Sequence, residues 1–496
     1  MSPSPVMVEE NPAARSSVLT RQVLASLAAL TALRLVCAGS VELASDEAYY
    51  WSWSRHLSLS YLDHPPLLAW LLSPLSSLSA GKPLLVRLVP VFSTTMALLV
   101  LSMCGTQRRP GVEGEGWGAL PLLGVGLSPA LALGGCLSTP DAPLLVCWCA
   151  SVVFLSELGS PNCHGIRRHK ILCGLFVVVL MGMLSKLSML LLLPSVIVGV
   201  TASGLSLRRD VWLTILVGVS LSVPVYAVGW GEGHMLAFQS MRVSGRAVWD
   251  LMRPLEMLLG VLGLLTPLLG GGVLWVAFFG WRSESRRQRF LWGLSVTPLA
   301  LVLGSSVYVS VELNWLMISW PAALLVLVRR SATWKRRRAF WGGVLVTGLA
   351  VTSVFLASVF VSSERGAAPS GLERVHGWER WCGAVVEGVE GEVVYVTPRY
   401  QEASQLAFWR GVPVTTLRAL REAGGPWVED KGRRQSAWRE MSEWRQGSRL
   451  VLLLERDGRD IETVLKKAGG YRVVRQETIE GPPAGPEEMW RLLLER

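Results

Sequence analysis

The sequence predicts an α-helical polytopic membrane protein that ends in a small α/β domain. Of its 496 residues, 51% are hydrophobic and only 17% are charged, whereas about 25% of the residues in an ordinary soluble domain are charged. The apolar residues form blocks of about 20 between residues 22 and 361 and thin out afterwards. This pattern excludes a soluble multidomain enzyme.

A helix needs about 20 residues to cross the ~30 Å hydrocarbon layer, and about eleven segments fit that length. The predicted spans are 22–43, 83–104, 118–137, 142–158, 171–185, 187–205, 211–230, 254–281, 290–310, 315–329 and 339–361. The fourth, fifth and tenth are short, so ten or twelve spans stay open as alternatives. The apolar stretch 66–80 is too short and too rich in serine and proline to span, and we expect an interfacial helix there.

The basic residues predict the orientation of the chain. The 48 Lys and Arg residues outnumber the 37 Asp and Glu residues, for a net charge of +11. In a soluble protein this excess would suggest nucleic acid, but here the cations cluster between apolar blocks. The clusters are Arg15 and Arg21; Arg108 and Arg109; Arg167, Arg168 and Lys170; Arg208 and Arg209; Arg282, Arg286, Arg287 and Arg289; and Arg329, Arg330 and residues 335–338. All fall on one side of an eleven-span chain, and the positive-inside rule makes that side cytoplasmic.

The two ends of the chain follow from this topology. Residues 1–21 lack the basic start and the cleavage site of a signal peptide, and we expect a cytoplasmic lead. The membrane domain covers 22–361, and an odd number of spans places the tail, 362–496, outside the cytoplasm. GEVVYVTP and RLVLLLE are typical of buried strands, YQEASQLAFWR and IETVLKKAG have helical periodicity, and DGRD predicts a turn. The tail contains no catalytic motif.

The first external loop, 42–70, carries the densest group of polar and aromatic residues. It contains Asp46 and Glu47, four aromatic residues at positions 49, 50, 51 and 53, and then Asp63 and His64. An interfacial aromatic belt with solvated acids is the simpler interpretation. However, Asp141 lies in a very short loop at the same membrane face. Carboxylates at an apolar boundary are costly unless they face a cavity or a partner, so their convergence predicts a functional site.

The remaining external loops add polar residues to the same face. Lys186 is a candidate counter-charge, either for the carboxylates or for a lipid phosphate, and a snorkelling lysine is the alternative. A single histidine such as His234 is more often structural than a ligand. The other candidates are Gln239 and Arg242 in the fourth external loop and Asn314 in the fifth.

These stretches together resemble a known group of enzymes. The run SDEAYYWSWSRHLSLSYLDHPPLLAW is similar to the first-loop signature of the GT-C membrane glycosyltransferases that use polyprenyl-phosphate sugars. The similarity is to the bacterial branch with the lipid A aminoarabinose transferase and relatives of the protein O-mannosyltransferases. Further matches are TPDAPL, LSKLSMLLLLP, HMLAFQ, ELNWL, GWERW and TPRYQEASQLAFWRGVP. The resemblance covers nearly the whole chain and implies a GT-C fold in a bacterial inner membrane.

The resemblance also implies roles for individual residues. Asp46 matches the catalytic carboxylate that deprotonates the acceptor, with Glu47 beside it, and Asp141 matches a second acidic position. Lys186 matches a lysine at the lipid-phosphate end. His64 replaces a lysine, so phosphate binding there would depend on pH. The other matched or neighbouring substrate-binding positions are Asp63, His234, Gln239, Arg242 and Asn314.

The chemistry of the reaction requires the same residue types. Transfer from a phosphate-linked sugar passes through an oxocarbenium-like state. It needs a base for the acceptor and cations for the leaving phosphate.

The expected partners are a polyprenyl-phosphate sugar, a lipid, glycan or protein acceptor and membrane lipids, without nucleic acid. The eight cysteines show no disulfide framework, and no cofactor is assigned. Some relatives bind a metal near the histidine matched by His234, so a divalent metal stays open.

Two other functions compete with this one. A transporter or lipid flippase would place charged residues near the membrane midplane on broken helices and show repeat symmetry. A noncatalytic scaffold presenting the tail would not need Asp46, Asp141 and Lys186 together. The acids at one membrane face favour the transferase.

Overall fold

The computed structural model contains a helical bundle followed by a small sheet domain. It describes residues 12–61, 63–104, 117–231, 249–365, 375–416, 449–455, 471–483, 486 and 488–495. The predicted helix IETVLKKAG and the turn DGRD lie outside these ranges. The prediction of a helical membrane protein with a C-terminal α/β domain is confirmed.

Each predicted span is helical in the structure. The long bundle helices are Pro12–Gly39, Pro83–Met103, Asp141–Leu158, Gly165–Ser185, Arg209–Gly231, Arg286–Ser306 and Arg337–Arg365. The shorter ones are Ala119–Gly126, Pro129–Ala132, Leu192–Ser203, Arg253–Leu265, Pro267–Phe279 and Trp320–Ser331. Short 3₁₀ turns at Gly134–Cys136, Leu187–Leu191, Gly280–Arg282 and Leu313–Ser319 extend four of them.

The chain is a multi-pass membrane protein. In the described ranges, six helices are long and apolar enough to cross a membrane, or seven if one bent pair counts as a single span. The total of eleven spans stays a prediction, because several spans are made of shorter helices.

Two of the predicted spans are broken by proline. The segment 118–137 bends by 76° between Gly126 and Pro129, and the segment 254–281 breaks at Thr266, which has a φ of 69°. A residue before proline avoids the α-helical conformation, which explains both breaks. At the first break, Arg34 donates to the carbonyl oxygens of Leu131 at 2.7 Å and Gly126 at 3.2 Å. These bonds satisfy carbonyl groups that the interrupted helix leaves open.

The first external loop and the C-terminal domain share a hydrophobic core. The first-loop helix, Ser45–Arg55, is followed by the helix Leu67–Leu72 and the 3₁₀ turn Ser73–Leu75, at the site predicted for an interfacial helix. The C-terminal domain has helices Trp378–Val386 and Tyr400–Arg410, and the latter is called the tail helix below. Buried aromatic side chains from both parts form one cluster, in which Trp51 and Phe408 pack edge to face with ring centroids 5.2 Å apart.

The sheet of the C-terminal domain has five strands in the order β2-β1-β3-β5-β4. The strands are β1 Val393–Thr397, β2 Val414–Thr416, β3 Arg449–Glu455, β4 Arg472–Glu480 and β5 Glu488–Glu495. β1 runs parallel to β2 and β3, while β5 is antiparallel to β3 and β4. The sequence predicted β1 and β3 correctly. It missed β2, β4 and β5, and the residues of β4 are exposed or half-buried at the sheet edge.

Cationic side chains from several predicted cytoplasmic loops meet at one end of the bundle. Glu157 binds Arg167 and Arg287, each at 2.9 Å, and Arg168 binds Asp210 at 2.6 Å. Arg329 donates to the backbone carbonyl of Cys104 at 3.0 Å. The basic residues named in these contacts therefore lie at one face.

We predict that the N-terminus is cytoplasmic and that the C-terminal domain is periplasmic. Alkaline phosphatase fused after residue 365 is expected to be active, because it folds only outside the cytoplasm. Green fluorescent protein fused at the same position is expected to be dark. An inactive phosphatase together with a fluorescent fusion would contradict the odd number of spans.

Candidate active site

The first-loop helix turns two adjacent carboxylates in different directions. Glu47, in its first turn, accepts a hydrogen bond from the backbone N–H of Ala44 at 3.0 Å, which caps the helix. Its side chain is only 1% exposed, whereas Asp46 is exposed. Neighbouring residues on a helix point about 100° apart. Only Asp46 is therefore presented outward.

Glu47 forms a buried ion pair with Arg87 of the helix Pro83–Met103. The guanidinium donates to both carboxylate oxygens, at 3.0 and 2.6 Å, and Arg87 is 1% exposed. Glu47 also accepts from the backbone N–H of Ser138 at 2.8 Å. The other N–H groups of Arg87 bind the carbonyls of Ala38, Val41 and Glu42 at 2.7 to 3.0 Å.

The ion pair of Arg87 and Glu47, with its backbone hydrogen bonds, is called the clamp below. It joins three segments at one end of the bundle. The carbonyls bound by Arg87 lie at and just after the end of the first membrane helix. Glu47 belongs to the first-loop helix, and Ser138 lies three residues before Asp141. The sequence grouped Glu47 with the catalytic carboxylates. In the structure its oxygens are engaged by Arg87 and two backbone amides, which is the arrangement of a structural anchor.

Asp141, Lys186 and Asn314 come together from three separate segments. The Nζ atom of Lys186 lies 2.7 Å from Oδ1 of Asp141, and Nδ2 of Asn314 donates to Oδ2 at 2.7 Å. Asp141 and Lys186 are each 8% exposed. Lys186 also lies over the ring of Trp315, 5.9 Å from its centroid. The sequence predicted that these external loops share one face, and the structure brings these three residues into direct contact.

Local geometry explains how each segment presents its side chain. Asp141 is the first residue of its helix, where the helix dipole favours a negative charge. Lys186 lies in an extended conformation between the helix that ends at Ser185 and the 3₁₀ turn that begins at Leu187. Asn314 lies in the 3₁₀ turn Leu313–Ser319. Each residue is therefore held at a helix boundary.

The C-terminal domain contacts the first loop directly at Asp46. The hydroxyl of Tyr400, in the first turn of the tail helix, donates to Oδ1 of Asp46 at 2.6 Å. Four residues earlier, the carboxylate of Glu42 accepts from the backbone N–H of Trp378 at 2.6 Å. Burial raises the pKa of Glu42, while hydrogen bonds from the backbone N–H groups of Trp378 and Glu379 partly lower it.

The predicted pair Asp63 and His64 lies against the aromatic cluster of the first loop. Asp63 is 2% exposed. The half-buried ring of His64 lies beside Tyr50, with centroids 6.0 Å apart. Three other predicted site residues, His234, Gln239 and Arg242, lie outside the described residues. Within the described ranges, no group of three or more His, Cys, Asp or Glu side chains is arranged to hold a metal ion.

Sequence reasoning missed Arg87 and Tyr400. Arg87 interrupts the apolar run of its span, and an ionisable residue inside a membrane helix is a functional candidate by default. The position of Arg87 in an apolar span was therefore sufficient to identify it as a candidate. Tyr400 lies in the stretch TPRYQEASQLAFWRGVP, which contributed to the resemblance, but its distance of 354 residues from Asp46 conceals the contact.

Comparisons with known proteins agree with this architecture. The family model described as dolichyl-phosphate-mannose-protein mannosyltransferase matches residues 63–230. ArnT from Cupriavidus metallidurans, in crystals bound to undecaprenyl phosphate, superposes with a TM-score of 0.65 at 15% identity, covering 95% of this chain and 98% of ArnT. The chain has the GT-C fold. The apo structure of the same ArnT gives a TM-score of 0.64 at 14% identity and the same coverage.

A curated relative extends the resemblance to sequence. The lipid A galacturonosyltransferase RgtD of Rhizobium johnstonii is 25% identical over 297 residues, or 57% of this chain. The match spans 59% of that relative's length. The resemblance to the GT-C glycosyltransferases that the sequence motifs indicated is confirmed.

We predict that Arg87→Met strongly destabilises the protein. Removing one partner of a buried ion pair leaves an uncompensated charge, at a typical cost of about 3–5 kcal/mol. The double variant Arg87→Met with Glu47→Gln is expected to recover part of that loss, because the amide is neutral. Thermal unfolding in detergent measures both.

Arg167→Met is a matched control for the arginine change, because Arg167 is paired with Glu157 but its side chain is 54% exposed. We expect little change in its unfolding temperature. A melting temperature for Arg87→Met equal to that of the control would contradict the structural role of the clamp.

Proposed function

We propose that the protein is an integral membrane glycosyltransferase that moves a sugar from a polyprenyl-phosphate donor to an acceptor at the external membrane face. The main support is the cluster in which Lys186 and Asn314 both bind Asp141, at the face that also presents Asp46. The fold supports the donor class, since ArnT with this fold was crystallised with undecaprenyl phosphate.

Lys186 is the proposed contact for the donor phosphate. An ammonium group has three N–H donors, and Asp141 takes one of them. Asp141, which Asn314 also binds, therefore holds the lysine in place. The other N–H groups of the ammonium can donate to an anion. In this nearly buried site, the fixed cation stabilises the negative charge that develops on the leaving phosphate.

Asp46 is the proposed general base of an inverting transfer. The bond between the anomeric carbon and the phosphate oxygen breaks, the acceptor oxygen or nitrogen bonds to that carbon, and the acceptor proton passes to Asp46. Exposure of Asp46 supports this role, because the base must reach an incoming acceptor. Glu47 contributes by fixing the first-loop helix, and Asp141 by orienting Lys186.

Lipid A or a similar glycolipid is the acceptor that we favour. The relative that aligns over 297 residues is a lipid A galacturonosyltransferase. A protein acceptor is the second candidate, since the family model matching residues 63–230 is described by mannosyl transfer to protein. The assay below identifies the sugar by comparing three donors.

A transporter is less well supported. Two spans are broken, as that function would require, and Arg34 lies at one of the breaks. However, Arg34 donates to backbone carbonyls at the break, which gives it a structural role. The polar cluster that includes Lys186 lies instead at one end of the bundle.

Transfer of labelled sugar in proteoliposomes tests the proposed function. The donors are polyprenyl-phosphate-linked galacturonic acid, aminoarabinose and mannose, each offered with lipid A or with a protein acceptor. We expect transfer from one donor, and we expect Asp46→Asn to lower turnover by roughly 10²- to 10⁴-fold, the usual loss for a missing general base.

Asp250→Asn provides the control, since Asp250 is another carboxylate in an external loop, paired with Arg253 at 3.2 Å. It is expected to keep wild-type turnover. Absence of transfer from every donor would refute the function, whereas near wild-type turnover in Asp46→Asn would refute only the assignment of the base.

A further inference from the structure

The C-terminal domain holds the segment that carries Asp46 from one side. Gln405 in the tail helix donates to the backbone carbonyl of Leu43 at 2.8 Å, and both residues are fully buried. The backbone N–H of Gly81 donates to the carbonyl of Phe408 at 2.8 Å. Together with the bond from Trp378 to Glu42, these contacts tie residues 42–46 and the end of the first external loop to the C-terminal domain.

The membrane bundle holds the same segment from the other side. Arg87 binds the carbonyls of Val41 and Glu42 and the carboxylate of Glu47, within six residues of chain. The backbone around Asp46 is thus fixed by two bodies that are far apart in sequence. With the backbone fixed, the rotation of the Asp46 side chain depends on the contacts of that side chain itself.

The hydroxyl of Tyr400 restricts that rotation. Tyr400 is 7% exposed, and its ring packs against Tyr49 with centroids 4.8 Å apart, so the hydroxyl is itself held in place. Donation at 2.6 Å to one carboxylate oxygen, Oδ1, fixes the direction of the carboxylate plane. Hydrogen bonds to a charged acceptor are short and about twice as strong as neutral ones.

We propose that Tyr400 is a positioning residue for Asp46, so that the C-terminal domain is an integral part of the active site. This inference rests on the proposed function, because it requires Asp46 to be the base. Correct alignment of a reacting group accounts for a large share of a rate enhancement, and a displacement of about 1 Å can cost 10²-fold. Through Tyr400, the domain therefore supplies alignment of Asp46.

Tyr400→Phe tests the proposal, since it keeps the packed ring and removes only the hydroxyl. We expect kcat for sugar transfer to fall roughly 10- to 100-fold. We expect the KM for the donor and the Kd for undecaprenyl phosphate to change by less than about twofold, because the phosphate end of the site is untouched. Incorporation of 4-aminophenylalanine at position 400 restores an N–H donor at the same place and is expected to recover most of the lost rate.

Tyr395→Phe is the matched control. Tyr395 lies in β1, is 3% exposed and belongs to the same hydrophobic core as Tyr400. This control is expected to retain wild-type kcat, so a general loosening of the domain would be visible as an equal loss in both variants.

The positioning role would be overturned by wild-type kcat in Tyr400→Phe, by an equal loss in Tyr395→Phe, or by no recovery with 4-aminophenylalanine. Loss of folded Tyr400→Phe protein would also overturn it, because the hydroxyl would then serve stability. If the wild-type protein transfers no sugar, the proposed function itself fails, which is a separate and recognisable outcome.

Discussion

The buried ion pair between Arg87 and Glu47 is the constraint on which the rest of the site depends. Two charges that are each 1% exposed are tolerated only when their hydrogen bonds are satisfied. Here the guanidinium and carboxylate bind backbone groups in the residues just before the first-loop helix and at Ser138. The pair thereby fixes where the helix bearing Asp46 starts and where the turn before Asp141 lies. Its contribution is positional, because an apolar pair could supply similar stability without that geometry.

The two ends of the bundle carry different ion pairs, because a buried charge at either end needs a partner. The helix Asp141–Leu158 has Asp141 with Lys186 at its first residue and Glu157 with Arg287 near its last. Those two pairs are about 24 Å apart at 1.5 Å per residue, close to the thickness of a hydrocarbon layer. One end therefore carries the arginines of the basic loops, while the other carries Asp46, Asp141, Lys186 and the C-terminal domain. A membrane-anchored phosphate donor would meet its acceptor at the second end.

Hydropathy and loop charge were sufficient to predict that the apolar segments are helical and that Asp141, Lys186 and Asn314 lie at one face, since residues in external loops must share a face. The count of eleven spans stays a prediction. The breaks before Pro129 and Pro267 required local conformational reasoning that hydropathy does not contain. The contact between Tyr400 and Asp46 was beyond sequence reasoning, because it depends on how a separate domain docks. The strands β2, β4 and β5 were missed. β2 has only 3 residues, and β4 lacks the apolar run of a buried strand because it lies exposed at the sheet edge.

The central claim is that the end of the bundle bearing Lys186 and Asp46 receives the donor phosphate. An electron cryomicroscopy map of the wild-type protein with undecaprenyl phosphate tests it directly. We predict phosphate density within about 3 Å of the Nζ atom of Lys186, the ordinary distance of a charge-assisted hydrogen bond. The double variant Lys186→Met with Asp141→Asn, which removes both charges together, is expected to lack that density. Phosphate bound instead at the opposite end, beside Arg287 and Arg329, would contradict the account.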